Sequence, residues 1–316
     1  MRRFIGTEQF EPVPDGVVLT IGNFDGVHLG HQALLKTAVA RSRDRRMPSA
    51  ALTFWPHPLR ILSPEKKLKL LSPLDEKLEL IEQTGIDILY CADFDRSFSQ
   101  QSPETFVRSY LVDKIGCREL IVGYNFDFGK NRSGKANDLI EFGRQLGFSV
   151  QIREPVEVEG TRVSSSAIRA LLADGNVSRA TKLLGRRYTL SGKVIEGAKR
   201  GSTLGYPTAN IAPPADQMIP LSGVYAAWAE TAESGPLPAA VYIGSRPTFG
   251  EGELLIEAHF LDPVGATGIL YGKILSISLC DFIRGDERFD SAEALARQIG
   301  IDVQKAKGVL QPEKGT

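Results

Sequence analysis

"VVLTIGNFDGVHLGHQALL", residues 17–35, sets the plan of the first half of the chain. Residues 17–22 form a short β-branched run that reads as a strand, and "HQALLKTAVARSR" (31–43) then carries apolar residues at helical spacing. A strand that enters a glycine-rich turn and leaves as a helix gathers backbone N–H groups and a positive dipole end at one place, a ready anion site. His28 and His31, two of only four histidines, stand three apart as the helix begins and so face the same way. A metal site needs at least one more good ligand; His57 in "FWPHP" is conceivable, but no pattern around it supports that use.

The alternation continues for the first 184 residues. "SAALTF" (49–54), "IDILY" (86–90), "ELIVG" (119–123) and "FSVQI" (148–152) read as further strands. Between them, "SPLDEKLELIEQTG" (72–85) predicts a helix with Ser72 as cap, Pro73 at its first position and Gly85 as stop. "SPETFVRSYLVDKIG" (102–116) repeats that signature, and "NDLIEFGRQLG" (137–147) supplies another helix. Strand and helix in alternation predict a parallel sheet covered on both faces, with ligands at the carboxyl ends of its strands.

After residues 184–187 the texture changes. "GVYAAWAE", "AAVYIG", "LLIEAHFLD" and "KILSISLCDFI" are short β-type runs separated by Gly, Pro and Ser, which predicts a compact antiparallel barrel or sandwich. "SAEALARQIGIDVQKAKGVL" (291–310) closes the chain as a helical region. The fold class is therefore α/β plus β, in two domains, 1–184 and 185–316.

Composition narrows the function. The 316 residues hold 38 basic and 38 acidic side chains, divided 25 against 23 before residue 185 and 13 against 15 after it. Neither half has a field that would gather nucleic acid or an anionic membrane. No run approaches the ~20 apolar residues of a membrane span. "MRRFIGTEQFEPVPDG" has no apolar core of a signal peptide. The three cysteines, Cys91, Cys117 and Cys280, form no CxxC pair, as expected of a cytoplasmic protein.

"VSSSAIRALL" (163–172) offers Ser164 or Ser165 as a helix cap, with Arg169 in the first turns. "GKNRSGKA" (129–136) has the spacing of a P-loop, but Ala136 stands where a Mg²⁺-binding hydroxyl is needed and "NFDF" before it is no plain buried strand. In "GAKRGSTLGYPTANI" (197–211), three glycines beside Lys199 and Arg200 make a cationic loop able to approach phosphate closely. Thr208 and Asn210 alternate, so on an extended segment both point to one face; two neutral oxygens suit a Mg²⁺ that brings its own waters and nucleotide phosphates. In "LLIEAHFLD", Glu257 and His259 likewise share one face.

"GNFDGVHLGH" matches the HxGH signature of nucleotidylyltransferases, and "SSSAIR" is similar to the second phosphate-binding motif of that superfamily. The resemblance implies a Rossmann-like N-terminal domain in which His28 and His31 bind ATP phosphates and offset charge on departing pyrophosphate. It also places Gly22, Phe24, Gly30, Ser164, Ser165 and Arg169 around ATP. "VGYNFDFGKNRSG" resembles a flavin-substrate loop, which implies that Asn125, Phe126 and Phe128 meet a planar ring; many relatives carry Asp at the position of Asn125. "RGSTLGYPTAN", "GVYA", "GSRPTFG", "IEAHFLD" and "LYGKILSISLCDFIRGDERF" follow in the order and spacing of riboflavin kinases. That likeness implies an antiparallel β-barrel kinase domain with a terminal helix, Glu257 as the base for the terminal ribityl hydroxyl, Thr208 and Asn210 at Mg²⁺, and Lys199, Gly201 and Thr203 at ATP. It also implies Arg284 at the flavin, with Asp286 where the family has glutamate.

Over essentially its whole length the chain thus resembles the bacterial bifunctional riboflavin kinases/FAD synthetases. The resemblance implies two ATP-dependent steps, riboflavin to FMN and FMN to FAD, with flavins as substrates and products and no nucleic-acid or membrane partner. A flavin-binding protein without turnover would need neither a base nor a Mg²⁺ pair. A nucleotidylyltransferase with another substrate would not need "PTAN" and "IEAHF".

Overall fold

The computed structural model describes residues 1–196, 206–245, 254–261 and 271–311. The chain divides into two compact units, Met1–Ser165 and Ser166–Thr316. The division precedes the change of texture at 184–187; the stretch between contains the helices Ser165–Ala173 and Val177–Leu184.

In chain order the first unit contains strands β1 (Arg2–Ile5), β2 (Val17–Ile21), β3 (Ser49–Trp55), β4 (Ile88–Asp93) and β5 (Cys117–Gly123). The two-residue strands β6 (Asp127–Phe128) and β7 (Gly134–Lys135), then β8 (Ser149–Arg153), and the short pair β9 (Glu157–Val158) and β10 (Thr161–Arg162) follow. Six of them form a parallel sheet in the order β1-β4-β3-β2-β5-β8. Alternate residues enter two separate cores: Val17, Leu19 and Ile21 pack on one face, Val18 on the other. Leu52 and Ala51, Tyr90 and Leu89, and Val122 and Ile121 divide in the same way. Burial on both faces explains why these strands read as apolar runs rather than alternating ones.

The strand order places the site. The chain runs from β2 outward through β3 and β4, then returns to β5 on the other side of β2. This reversal makes the carboxyl ends of β2 and β5 the switch point at which sheets of this kind bind ligands. The GNFDGVHLGH turn follows β2 and leads into the helix Leu29–Arg45; the loop holding Asn125 follows β5.

Two local expectations are corrected. The helix after Ser72 runs Leu74–Glu82 with Pro73 at its N-cap, because the Ser72 hydroxyl accepts instead from Gly26 N (3.1 Å) in the GNFDGVHLGH turn. The helix announced by Ser102, whose hydroxyl caps Thr105 N, widens to a π-helix over Phe106–Lys114. The P-loop spacing at 129–136 belongs to no strand–loop–helix. It lies in the β6–β7 hairpin, where Lys135 Nζ pairs with Asp127 at 3.0 Å.

The second unit carries β11 (Tyr188–Ile195), β12 (Ala209–Ala212), β13 (Gly223–Thr231), β14 (Ser234–Ser245), β15 (Leu254–Phe260) and β16 (Ile274–Gly285). They close into an antiparallel barrel in the order β11-β12-β15-β14-β13-β16, so the barrel of the two sequence alternatives is realised. Ala239, Val241, Ile243, Ile256, Ala258, Leu275, Ile277 and Leu279 are buried in the strands. The C-terminal helix Ala292–Leu310, capped by Ser291, lays Val303, Ala306 and Leu310 against Ala226 and Ala240. Ala240 is directly opposite His259 in the ladder, so this helix covers part of the face that also bears His259 and Glu257.

Candidate active sites

At the end of β2 the backbone turns through left-handed conformations that are unusual without glycine: Phe24 has φ 49° and Val27 φ 37°, with Gly26 at φ 80° between them. Such strain, greatest for a β-branched residue, persists only where surrounding contacts over-determine it. Those contacts are present. Buried Asp25 accepts from Leu71 N (2.9 Å) and Ser72 N (3.3 Å), and its carbonyl accepts from the Ser165 hydroxyl at 3.0 Å. That last bond, across 140 positions of sequence, ties Ser165, in the first half of the SSSAIR motif, to the GNFDGVHLGH turn. Arg169 lies four residues beyond Ser165 on the same helix and so on the same face.

The turn delivers both histidines to one place. His28 caps the helix, its Nδ1 accepting from His31 N at 3.2 Å, which puts the proton of its neutral ring on Nε2. The two rings stack with centroids 3.6 Å apart and 14° between planes. Burial, then the neighbouring His28 and Lys77, holds the His31 imidazole well below the usual histidine range. At neutral pH His31 is therefore uncharged, and its buried Nδ1 has no hydrogen-bond partner. A neutral His31 imidazole at a helix N-terminus provides an N–H donor for a phosphate oxygen without the cost of burying a second cation beside Lys77.

The neighbouring residues have distinct uses. Phe24 is fully buried; its ring meets His31 edge-on at 5.4 Å, so it supports the histidine from below. Gly22 is required by that packing, since a Cβ there would lie 2.9 Å from the Phe24 ring. A Cβ at Gly30 would press on His28 at 3.2 Å. His57 caps the short helix Pro58–Leu62 through Leu59 N. Among the described residues no group of three His, Cys, Asp or Glu side chains is arranged to hold a metal ion.

Sequence reasoning missed Lys77. Its ammonium is buried and donates to Thr53 Oγ1 and Phe54 O (both 3.2 Å) and to Asn23 O (3.5 Å), joining the ends of β2 and β3. Burial lowers its pKa. The signal was available: Lys77 shares the buried helical face with Leu78 and Ile81, and a charge there needs partners.

After β5, Asn125 is exposed and Phe126 partly so. Phe128 is the more deeply buried of the two rings. It is buried among Phe106 and Phe142 and stacks on Phe126 at 5.7 Å, which uses its ring for packing.

In the barrel, the β12–β15 ladder sets Asn210 directly opposite Glu257, so the two side chains share one face. Asn210 is buried, and its Oδ1 has no hydrogen-bond partner. His259 Nδ1 lies 3.0 Å from Pro207 O, tying the start of the PTAN segment, with Thr208, to β15. Arg284 is held by the C-terminal helix: its Nε lies 3.0 Å from both Asp302 carboxylate oxygens and its Nη2 2.8 Å from one of them. Its guanidinium is thus largely engaged within the protein, which sequence alone did not reveal. Lys199, Gly201 and Thr203 lie outside the described residues.

Comparison with known proteins agrees with this division of labour. The FAD synthetase family model matches residues 11–167 and the riboflavin kinase family model matches 184–310. Together they define a flavin-nucleotide transferase with two catalytic domains. The chain is 37% identical over 316 residues to the bifunctional riboflavin kinase/FMN adenylyltransferase of Escherichia coli K12, covering 99% of this chain and 100% of that one. It is 37% identical over 294 residues to the enzyme of that name from Listeria monocytogenes, covering 92% and 91%. It belongs to the bifunctional riboflavin kinase/FMN adenylyltransferase family. A crystal structure of a Streptococcus pneumoniae protein named as a macrolide-efflux protein superposes with TM-score 0.87 at 28% identity, covering 96% of this chain and 98% of that one. Among the described residues no helix here is long and apolar enough to cross a membrane.

Proposed function

We propose that the chain makes FMN from riboflavin in its riboflavin kinase domain, residues 185–316, and FAD from FMN in its adenylyltransferase domain, residues 1–184. The observation that carries the first step is the pairing of Glu257 with Asn210 across one ladder. Glu257 takes the proton as the terminal ribityl oxygen attacks the γ-phosphorus of ATP and ADP leaves. The protein's work is to align that hydroxyl and offset phosphate charge. Mg²⁺ fits the Thr208–Asn210 pair, because a buried amide oxygen without a partner is a suitable hard ligand. When bound with ATP it supplies neutralisation of the phosphates. Lys199, Gly201 and Thr203 are proposed to contact the same nucleotide.

In the second step an oxygen of the FMN phosphate attacks the α-phosphorus of ATP, and pyrophosphate leaves. His28 and His31 donate to the oxygens on which charge grows; Ser164, Ser165 and Arg169 hold the triphosphate, and Gly22 and Gly30 permit the turn that lets them do so. Asn125 and Phe126 receive the flavin ring, with Phe128 as the support behind Phe126. Arg284 orders the flavin end of the kinase site from its place on Asp302. The free thiols of Cys91, Cys117 and Cys280 suit a reducing cytoplasm.

The test is chromatographic. Purified protein with riboflavin, ATP and Mg²⁺ is expected to yield FMN and then FAD; formation of neither refutes the assignment.

A further inference from the structure

One row of side chains crosses the barrel from strand to strand. Asn210 on β12 opposes Glu257 on β15, Glu257 opposes Tyr242 on β14, Tyr242 opposes Val224 on β13, and Val224 opposes Arg284 on β16. Directly opposed residues of an antiparallel ladder share a face, with Cβ atoms about 4.5–5.5 Å apart. Tyr242 is therefore the immediate neighbour of Glu257 on the side away from Asn210, between the carboxylate and the Arg284 corner. No motif of the sequence singled it out.

The phenol is fixed at its far end by two independent features. Its hydroxyl donates to Asp286 Oδ1 at 3.1 Å, and the same oxygen accepts from Glu287 N at 3.0 Å. Its outer ring atoms lie over Gly244, where a Cβ would fall 2.2 Å from the hydroxyl oxygen and 2.5 Å from Cζ. Gly244 thus leaves the socket into which the phenol fits, which gives the first residue of "GSRPTFG" a structural use. Burial, followed by the Asp286 carboxylate, pushes the phenol up to about 12, so it remains a hydrogen-bond donor throughout the working range of a kinase. The residue is half-buried, and its place in the ladder is directly opposite Glu257.

We propose that Tyr242 is a positioning residue for the flavin acceptor: clamped by Asp286 and Gly244, its ring forms the wall that sets the riboflavin side chain against Glu257. This rests on the reading of Glu257 as the base of riboflavin phosphorylation. The clamp has two separable parts. Losing the hydroxyl frees Asp286 but leaves the wall, whereas losing the ring, or filling the socket at Gly244, removes the wall.

The experiment uses the full chain and steady-state phosphorylation of riboflavin, with Tyr242→Phe, Tyr242→Ala and Gly244→Ala beside the parent protein. Tyr242→Ala and Gly244→Ala are expected to raise the KM for riboflavin about tenfold or more, and Tyr242→Phe about fivefold, the scale of one hydrogen bond. In each, kcat, the KM for ATP and the adenylylation of supplied FMN are expected to stay within about twofold, as loss of ground-state positioning requires. An unchanged riboflavin KM in Tyr242→Ala or Gly244→Ala overturns the proposal. So does a parallel loss of kcat and ATP affinity, which marks a structural role. If Tyr242→Ala does not fold, Gly244→Ala and Tyr242→Phe decide it. A parent protein that does not phosphorylate riboflavin at all refutes the underlying reading as well, a result distinct from an active parent with indifferent variants.

Discussion

Replacing Asp302 by Asn separates the two units by their energetics as well as by their chemistry. The Asp302 carboxylate is 4% exposed and the Arg284 side chain 18%, and Gln298 Nε2 gives Asp302 a further bond at 3.0 Å. Removing one charge from a buried pair costs about 3–5 kcal/mol because its partner is left uncompensated. Arg284 retains some water and a bond to Gly285 O, so the lower end applies, about 3 kcal/mol. For a unit of this size that lowers the melting midpoint by about 6–12 °C. Calorimetry on the full chain is expected to show this loss in the transition of the barrel unit. A double-mutant cycle with Arg284→Met is expected to give a coupling of about 2 kcal/mol or more. The same Asp302→Asn protein should phosphorylate riboflavin with a raised KM for riboflavin while adenylylating supplied FMN normally. A coupling below about 0.5 kcal/mol, the limit of additivity, refutes the reasoning. So does an equal loss of both activities.

Gly22→Ala sets a Cβ 2.9 Å from the Phe24 ring that supports His31; FAD formation should fall at least tenfold while riboflavin phosphorylation persists, measured on the two reactions separately. Ser165→Ala removes the hydroxyl bond to Asp25 O, worth about 1 kcal/mol, and should slow adenylylation about fivefold without affecting FMN formation. His31 binds its proton less readily in the folded chain than in the unfolded one, where its pKa is about 6.5. Its contribution to stability is therefore fully present above that value and is lost as pH falls below it toward the folded pKa. Urea titrations of His31→Gln should show a shallower decline of stability below about pH 6.5 than the parent; an identical decline contradicts the burial of that ring.

The parallel sheet was legible in the sequence because burial on both faces turns its central strands into continuous apolar runs. β1 was not: it is a four-residue edge strand beginning Arg2-Arg3, and only its pairing with β4 makes it a strand. Antiparallel alternation left barrel and sandwich open, since closure depends on the pairing of β11 with β16 far along the chain. Both histidines, Asn210 and Glu257 are singled out by their local motifs, and His28 and His31, and Asn210 and Glu257, are set together in the fold. Ser72, which reads as a helix cap, is instead engaged by Gly26, a residue no local window contains, and the contacts of Phe128 with Phe142 and of Arg284 with Asp302 are hidden from the sequence for the same reason. Lys77 and Tyr242 went unnoticed for the same reason, their partners being brought to them only by the sheet and the barrel.

The most direct test of two separate chemistries on one chain is Glu257→Ala assayed with each flavin in turn. With riboflavin and MgATP, no FMN should form; with FMN and MgATP, FAD should form at the parent rate. Continued phosphorylation of riboflavin by this variant, or loss of FAD formation from supplied FMN, contradicts the account.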